Sequence, residues 1–228
     1  MQITYLSKFT NALPLELIVI EFDADSFNQD SFEQYTQPFP ERIKKAVSKR
    51  QAEYLAGRLC ATKALNNLNS AKTLVHTSES RAPIWPEGTY GSITHTKGIA
   101  AAIAGIEKKP TGVGIDVEKL MKDDQEVKLQ THILREDEQK QFISLGQQVT
   151  HPLSVIFSAK ESIYKALYPF VKKFFGFDKA RLISFSETML TFEIMHCLSE
   201  QIQNGLRVNV HYQVIDGLVF TQCLFEAQ

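Results

Sequence analysis

Acidic and basic side chains recur at short, regular spacings in two stretches of this sequence. Asp116 and Glu118 end a predicted strand, and the alternation of strand side chains places both carboxylates on one face. Glu161 and Lys165 lie four residues apart in a predicted helix, so they also share a face. A divalent cation would remove the repulsion between neighbouring carboxylates. The alternatives are a strand end in solvent and an ordinary solvated ion pair.

The predicted helix around Glu161 has one apolar face. Apolar residues recur at helical spacing from Ile156 to Phe170, which indicates a stripe that faces a core. Lys160, Glu161 and Lys165 lie off that stripe. The helix could therefore present a carboxylate with a lysine on either side to a ligand.

The most basic part of the chain is the predicted helical region 41–67, which is either a solvated helix face or an anion site. Its cations are Arg42, Lys44, Lys45, Lys49, Arg50, Arg58 and Lys63. Thr94 and His95 end a short predicted strand further along the chain. Hydroxyl, imidazole and backbone N–H groups at such a place could receive a phosphate, and a polar turn cap is the alternative.

Composition bounds the class of protein. The 228 residues are 43% hydrophobic with a formal net charge of -1, which is typical of a globular protein and argues against a broad nucleic-acid surface. The N-terminus lacks the pattern of a signal peptide, and no apolar stretch is long enough for a membrane span. The three cysteines are widely spaced, so we expect free thiols and a cytoplasmic protein.

Hydrophobic patterns predict a mixture of helices and antiparallel strands. Strands are predicted at 15–22, 181–185, 190–195, 206–214 and 218–225, with Asp216-Gly217 as a hairpin turn. Residues 99–105 and 113–117 are predicted to form a hairpin, 119–130 a charged loop and 133–145 a short helix. The central helix is predicted to end near Pro169. The chain would then consist of two halves, 1–112 and 113–228.

Together these groups suit a magnesium-dependent enzyme that acts on a diphosphate. Magnesium prefers oxygen ligands and usually leaves room for substrate phosphate, and clustered lysines and arginines bind further phosphates. A magnesium-dependent nucleotide or diphosphate hydrolase is one class of enzyme that would need these acids and cations.

Four blocks of sequence resemble one family. Gly114-Ile115-Asp116-Val117-Glu118, followed by Phe157-Ser158-Ala159-Lys160-Glu161-Ser162 and Lys165, is similar to the paired signature of 4′-phosphopantetheinyl transferases of the surfactin-synthetase type. The blocks 49–61 and 83–95 resemble the enterobactin synthase component D branch. Phe157 departs from the tryptophan that many relatives carry, although it retains an aromatic wall.

The resemblance implies a fold and a reaction. The fold is α+β and pseudo-dimeric, with two similar α/β halves that each carry a long helix packed on antiparallel strands. A serine of an apo acyl, peptidyl or aryl carrier protein attacks the β-phosphate of coenzyme A, and adenosine 3′,5′-bisphosphate leaves. The context would be siderophore or nonribosomal peptide biosynthesis, and the chain would act as a monomer. A relative that binds coenzyme A or a carrier without transfer is the non-catalytic alternative.

The resemblance also implies roles for the acidic residues. Asp116, Glu118 and Glu161 would hold Mg²⁺ against the coenzyme A diphosphate. Glu161 is the first candidate for the base that takes the serine proton, and Glu138 is the second.

The basic residues receive roles in the same way. Arg50 and Arg58 would bind the 3′-phosphate of coenzyme A, and Arg81 its adenine nucleotide. Thr94 and His95 would contact the diphosphate or the adjacent phosphate. The two lysines of the central helix, Lys160 and Lys165, would neutralise charge in the transition state.

Overall fold

A computed structural model describes residues 1–227. Contacts between Cα atoms divide the chain into two compact units, Met1–Lys108 and the part that begins at Lys109. The sequence places the division after residue 112, a few residues further along. In the described residues, each unit contains one 20-residue helix and one large antiparallel sheet, and the first unit also has a two-stranded ribbon.

The first unit is built from a four-stranded sheet, a long helix and a small ribbon. Its elements are β1 (Ile3–Tyr5), β2 (Glu16–Phe22), α1 (Ser31–Gln34), α2 (Glu41–Lys44), α3 (Ser48–Asn67), β3 (His76–Thr77), β4 (Pro83–Ile84), β5 (Thr89–Thr96) and β6 (Ile99–Ile106). The sheet has the order β1-β2-β6-β5, and β3 pairs with β4.

Helix α3 lies close to its sheet because small side chains face each other. Buried alanines of α3, including Ala52 and Ala56, belong to one core cluster with Ala100 and Ala102 of β6. A Cβ at Gly57 would come within 2.7 Å of the Ile93 side chain on β5. Interiors pack to crystal-like density, so these short side chains set how near the helix lies to the strands.

The second unit places a long helix on a five-stranded sheet. Its elements are β7 (Thr111–Lys119), α4 (Asp123–Ile133), a 3₁₀ turn (Glu136–Glu138), α5 (Gln139–Leu145), α6 (Pro152–Val171), a 3₁₀ turn (Phe177–Lys179), β8 (Ala180–Phe185), β9 (Met189–Ile194), β10 (Arg207–Ile215) and β11 (Leu218–Glu226). The sheet has the order β7-β11-β10-β9-β8.

The two units share a connectivity. In each unit, the strand before the long helix pairs with the second strand of a hairpin that follows the helix. This gives β2-β6-β5 around α3 and β7-β11-β10 around α6. The predicted α+β class, with a long helix on antiparallel strands in each half, is confirmed.

Two local predictions are wrong. Strand β6 does not form a hairpin with β7, because β6 pairs with β5 and β2 while β7 pairs with β11. Both strands are almost continuously buried, so their pattern shows a core position without showing which strand lies beside them. The predicted charged loop at 119–130 contains most of α4, whose first turn carries Asp123, Asp124 and Glu126 where the helix dipole favours acids.

Other local predictions are confirmed. The four tail strands appear as β8 to β11, and the hairpin turn between the last two has positive φ angles of 50° at Asp216 and 71° at Gly217. Helix α6 continues two residues beyond Pro169, to Val171. Within residues 1–227, none of the helices combines the length and apolar character that crossing a membrane would require.

Candidate active site

Two glycines bring helix α6 against strand β7 in the second unit. A Cβ at Gly112 would lie 1.9 Å from the Ala166 carbonyl oxygen, and one at Gly114 would lie 1.8 Å from that of Ser162. Real Cβ atoms do not approach other atoms so closely. Since strand residues two apart share a face, Asp116 lies on the same side of β7 as both glycines. The glycines therefore let α6 cross directly over the strand that carries the acidic pair.

Asp116 accepts hydrogen bonds from two side chains of α6. Lys165 donates from Nζ to Asp116 Oδ1 at 2.8 Å and to the Ile115 carbonyl at 2.9 Å. Ser158 donates from Oγ to Asp116 Oδ2 at 2.9 Å. Asp116 is only 3% exposed, whereas the Lys165 side chain retains 26%. Lys165 is thus held at one end and still reaches solvent.

A hydroxyl group from β11 supports this arrangement and was not predicted from the sequence. Thr221 pairs with Asp116 in the register of β7 and β11. Its Oγ1 lies 3.0 Å from Ser158 Oγ and 2.5 Å from Ser162 Oγ, and all three residues are buried. The three hydroxyls form a network beneath the carboxylate. Only the small polar residues in the block around Glu161 could have indicated it.

Glu161 lies beside this pair and is partly buried. Burial raises the pKa of its carboxyl above the ordinary value, the charge on Asp116 raises it further, and Lys165 lowers it. Two carboxylates that affect each other in this way are a site where a cation would be stabilising. Glu118 lies two residues beyond Asp116 on β7 and is also partly buried.

The donor set fits magnesium in its chemistry. All three predicted ligands, Asp116, Glu118 and Glu161, offer carboxylate oxygens, which Mg²⁺ prefers. Among residues 1–227, however, no three His, Cys, Asp or Glu side chains are arranged as a ready-made metal cluster. Magnesium is commonly held by one or two carboxylates together with substrate phosphates, so such a cluster is not required for it to bind.

Lys160 and Glu138 form a buried ion pair. Lys160 donates from Nζ to Glu138 Oε2 at 2.6 Å and to the Ile133 carbonyl at 2.9 Å. Glu138 also accepts from the backbone N–H groups of Arg135 and Leu182. The side chains are 1% and 0% exposed, and burial lowers the pKa of Lys160.

Lys160 lines a pocket beside Glu161, whereas Glu138 does not line it. Both side chains have almost no exposed surface in this conformation, and each already has a charged partner. The predicted roles of Lys160 in charge neutralisation and of Glu138 as a base stay predictions. What the structure shows is that the pair joins α6 to the 3₁₀ turn at Glu136–Glu138 and to β8.

An aromatic pocket of about 200 Å³ adjoins Glu161. Phe175 is buried against Tyr164, with ring centroids 4.9 Å apart, and Phe177 meets Phe157 edge to face at 5.6 Å. Phe174 is 83% exposed. Phe157 contacts Phe177 without itself lining the pocket, so its role as an aromatic wall stays a prediction.

A separate cavity of about 380 Å³ lies in the first unit and is lined by cations. The lining includes Arg42, Arg50, Arg58, Arg81 and His95. They come from α2, α3, the β3–β4 turn and β5, so the tertiary structure gathers residues that are far apart in sequence. Arginines bind phosphate through paired N–H donors, and such a cavity favours a phosphorylated ligand.

Arg58 is fixed in the wall of this cavity. It is buried, and its guanidinium lies 4.6 Å from the centroid of the Tyr54 ring. Its Nη2 donates to Thr77 Oγ1 at 2.8 Å and to the His76 carbonyl at 3.2 Å. Burial lowers the pKa of the guanidinium, although an arginine remains charged at neutral pH.

The remaining predicted residues of the first unit differ in position. Arg50 Nη1 contacts His95 Nε2 closely, which joins α3 to β5. Arg81 occupies the β3–β4 turn with a φ of 73°, a conformation that is uncommon for a residue with a side chain. Thr94 is buried and does not line the cavity, because it lies on the face of β5 opposite Ile93 and His95.

Comparison with known proteins identifies the family. A family model described as the 4′-phosphopantetheinyl transferase N-terminal domain matches residues 39–105, and one described as the 4′-phosphopantetheinyl transferase superfamily matches residues 112–223. The chain belongs to the 4′-phosphopantetheinyl transferase superfamily. It is therefore an enzyme of that type, and coenzyme A is its substrate.

Several curated relatives are similar over most of the chain. Enterobactin synthase component D of Salmonella typhi is 32% identical over 179 residues, which cover 78% of this chain and 73% of the relative. Its counterpart in Escherichia coli K12 is 29% identical over 204 residues, or 90% of each chain. The 4′-phosphopantetheinyl transferase PptT of Mycobacterium tuberculosis is 31% identical over 158 residues, or 64% of each.

Proposed function

We propose that this enzyme transfers 4′-phosphopantetheine from coenzyme A to a serine of an apo carrier protein in siderophore or nonribosomal peptide biosynthesis. The observation that supports it most is the grouping of Glu161 beside the Asp116–Lys165 pair. The biosynthetic context rests on the similarity to enterobactin synthase component D.

In the proposed mechanism, Glu161 takes the proton of the attacking serine. Burial raises the pKa of Glu161 and so makes it a stronger base than an exposed glutamate, while the charge on Lys165 opposes that rise. Lys165, anchored by Asp116, offsets negative charge on the phosphoryl oxygens. Magnesium, which Asp116, Glu118 and Glu161 would hold, would supply further electrostatic stabilisation when bound.

We assign recognition of the nucleotide to the first predicted half, 1–112, and the chemistry to the second, 113–228. The arginines of the cavity, Arg50 and Arg58 in particular, are proposed to bind the 3′-phosphate of coenzyme A. Adenosine 3′,5′-bisphosphate would leave with that phosphate still attached. The three free cysteines fit a reducing compartment, and we propose a monomeric cytoplasmic enzyme.

Intact-mass analysis of an apo peptidyl carrier protein tests the proposal. After incubation with enzyme, coenzyme A and magnesium, the carrier should gain the mass of one phosphopantetheine. The gain should disappear with EDTA and with Glu161→Gln, and it should persist with Glu136→Gln, an exposed glutamate outside the site. Coenzyme A binding without any gain on several carriers would overturn the proposal and favour the non-catalytic alternative.

A further inference from the structure

The cation-lined cavity of the first unit contains a single carboxylate. Among its lining residues, all within the described part of the chain, only Glu53 is acidic. Its side chain is 14% exposed. Glu53 Oε2 lies 3.4 Å from Arg50 Nη1 and 3.8 Å from His95 Nδ1, and Oε1 lies 4.0 Å from Lys49 Nζ. One negative charge therefore faces two basic groups of the cavity lining, Arg50 and His95, and one exposed lysine outside it.

These contacts indicate that Glu53 acts through its charge. Glu53 Oε2 accepts one long hydrogen bond from Arg50 Nη1, at 3.4 Å where about 2.7–3.2 Å is usual, and its contacts with His95 and Lys49 are longer still. Arg50 is also held by its closer contact with His95, and Arg58 is held by Thr77 and the His76 carbonyl. The cations thus have partners other than Glu53 that fix their positions. Its main effect on an incoming phosphate is repulsion.

We propose that Glu53 limits the affinity of this cavity for a phosphomonoester and so speeds the departure of the nucleotide product. The proposal rests on the proposed function, in which coenzyme A and adenosine 3′,5′-bisphosphate carry the same 3′-phosphate. An interaction present equally in substrate, transition state and product does not raise kcat. A cavity with unopposed arginines would retain the product, and Glu53 offsets part of that attraction.

Calorimetric titration with adenosine 3′,5′-bisphosphate tests the effect without a carrier protein. Glu53→Gln preserves shape and removes the charge, so its Kd should fall about tenfold, the size expected of one charge at short range in a partly buried site. Adenosine 5′-monophosphate, which lacks the 3′-phosphate, should bind both forms equally. Glu53→Asp retains the charge and should bind the bisphosphate as the unmodified protein does.

Glu41→Gln is the matched control. Like Glu53, Glu41 pairs with a cation three residues away in its own helix, here Lys44, but Glu41 lies outside the cavity. This variant removes the same charge and should leave the Kd within about twofold, because exposed charges are screened. The proposal would be overturned if Glu41→Gln and Glu53→Gln both bound the bisphosphate more tightly to the same extent. It would also be overturned if Glu53→Gln bound the bisphosphate no more tightly than the unmodified protein. Loss of affinity in Glu53→Asp would instead show a positioning role and also overturn it.

Kinetics separate this inference from the proposed function. In the transfer assay, Glu53→Gln should lower KM for coenzyme A and leave KM for 3′-dephospho-coenzyme A unchanged; a similar fall for both substrates would refute the proposal. If no carrier is modified but calorimetry still shows tightening specific to the bisphosphate, the affinity-limiting role of Glu53 stands, while the transfer proposal and the product-release role that depends on it fail. If the unmodified protein binds the bisphosphate no better than the monophosphate, the cavity has been misassigned and the inference falls.

Discussion

Gly114 is the residue at which an added methyl group should do the most damage to the site. A Cβ there would lie 1.8 Å from the Ser162 carbonyl oxygen and 2.7 Å from the Ala166 backbone nitrogen. Ordinary contact begins at 3.4 Å, and both atoms belong to the backbone of α6, which cannot turn aside as a side chain could. Gly114→Ala must therefore move the helix away from β7 by roughly 1.5 Å, because the packed interior has no room to absorb the methyl group.

The displacement should reduce both stability and activity. Overpacking of this kind costs about 1–3 kcal/mol of unfolding free energy, and a backbone clash belongs at the upper end. Glu161 and Lys165 move with α6 while Asp116 stays on β7, so their mutual geometry changes. A displacement of about 1 Å in a catalytic arrangement can cost about 100-fold in rate, and we expect a loss of that size in phosphopantetheine transfer.

Urea denaturation and initial transfer rates measure the two effects. Gly146→Ala is the matched control, because a Cβ there meets its nearest atom at 3.4 Å and the φ of -62° suits alanine. The control should change stability by less than about 1 kcal/mol and keep its activity. If Gly114→Ala behaved like Gly146→Ala in both assays, the claim that close helix–strand contact positions the site would be wrong.

Three further predictions concern the charged groups of the second unit. Lys160→Met leaves the buried Glu138 carboxylate unpaired and should lower the unfolding free energy, measured by urea denaturation, by about 3–5 kcal/mol. Combining Lys160→Met with Glu138→Leu should recover much of that loss. A loss below about 1 kcal/mol in Lys160→Met would contradict the buried pair. Burial raises the pKa of Glu161 in the folded protein, so the folded state binds this proton more tightly than the unfolded state does. The unfolding free energy should therefore fall as the pH rises from the ordinary pKa of 4.5 through the folded-state pKa. Glu161→Gln should remove this part of the slope in denaturation measured with EDTA, and identical slopes would count against the shift. Lys165→Met removes the cation that Asp116 binds, so it should lower the unfolding free energy by about 2 kcal/mol and the transfer rate by roughly 100-fold. Retained activity would exclude Lys165 from charge stabilisation.

Part of the candidate site follows from local spacing. The two-residue period of a strand places Asp116 and Glu118 on one face, and the 3.6-residue period of a helix places Glu161 beside Lys165. Both elements appear where they were predicted, as β7 and α6. Side-chain direction within an element depends only on backbone geometry, so the sequence is sufficient for it.

Spacing within one strand could not predict which other strand it pairs with. The strands β6 and β7 have similar buried patterns, and nothing in those patterns shows that they belong to different sheets. Hydrophobic periodicity identifies a buried face without naming its partner. Partner choice depends on the whole set of strands that compete for the same edge.

The sequence by itself determined the family, the α+β class, and the carboxylates and cations of the candidate site, because motifs and periodicity are local properties of the chain. Only the tertiary structure decided what each charge contacts. It buried Lys160 with Glu138, placed Thr221 beneath Asp116, and put Glu53 among the arginines. The physical reason is that burial and charge pairing are set by residues distant in sequence, and these two quantities control pKa and reactivity.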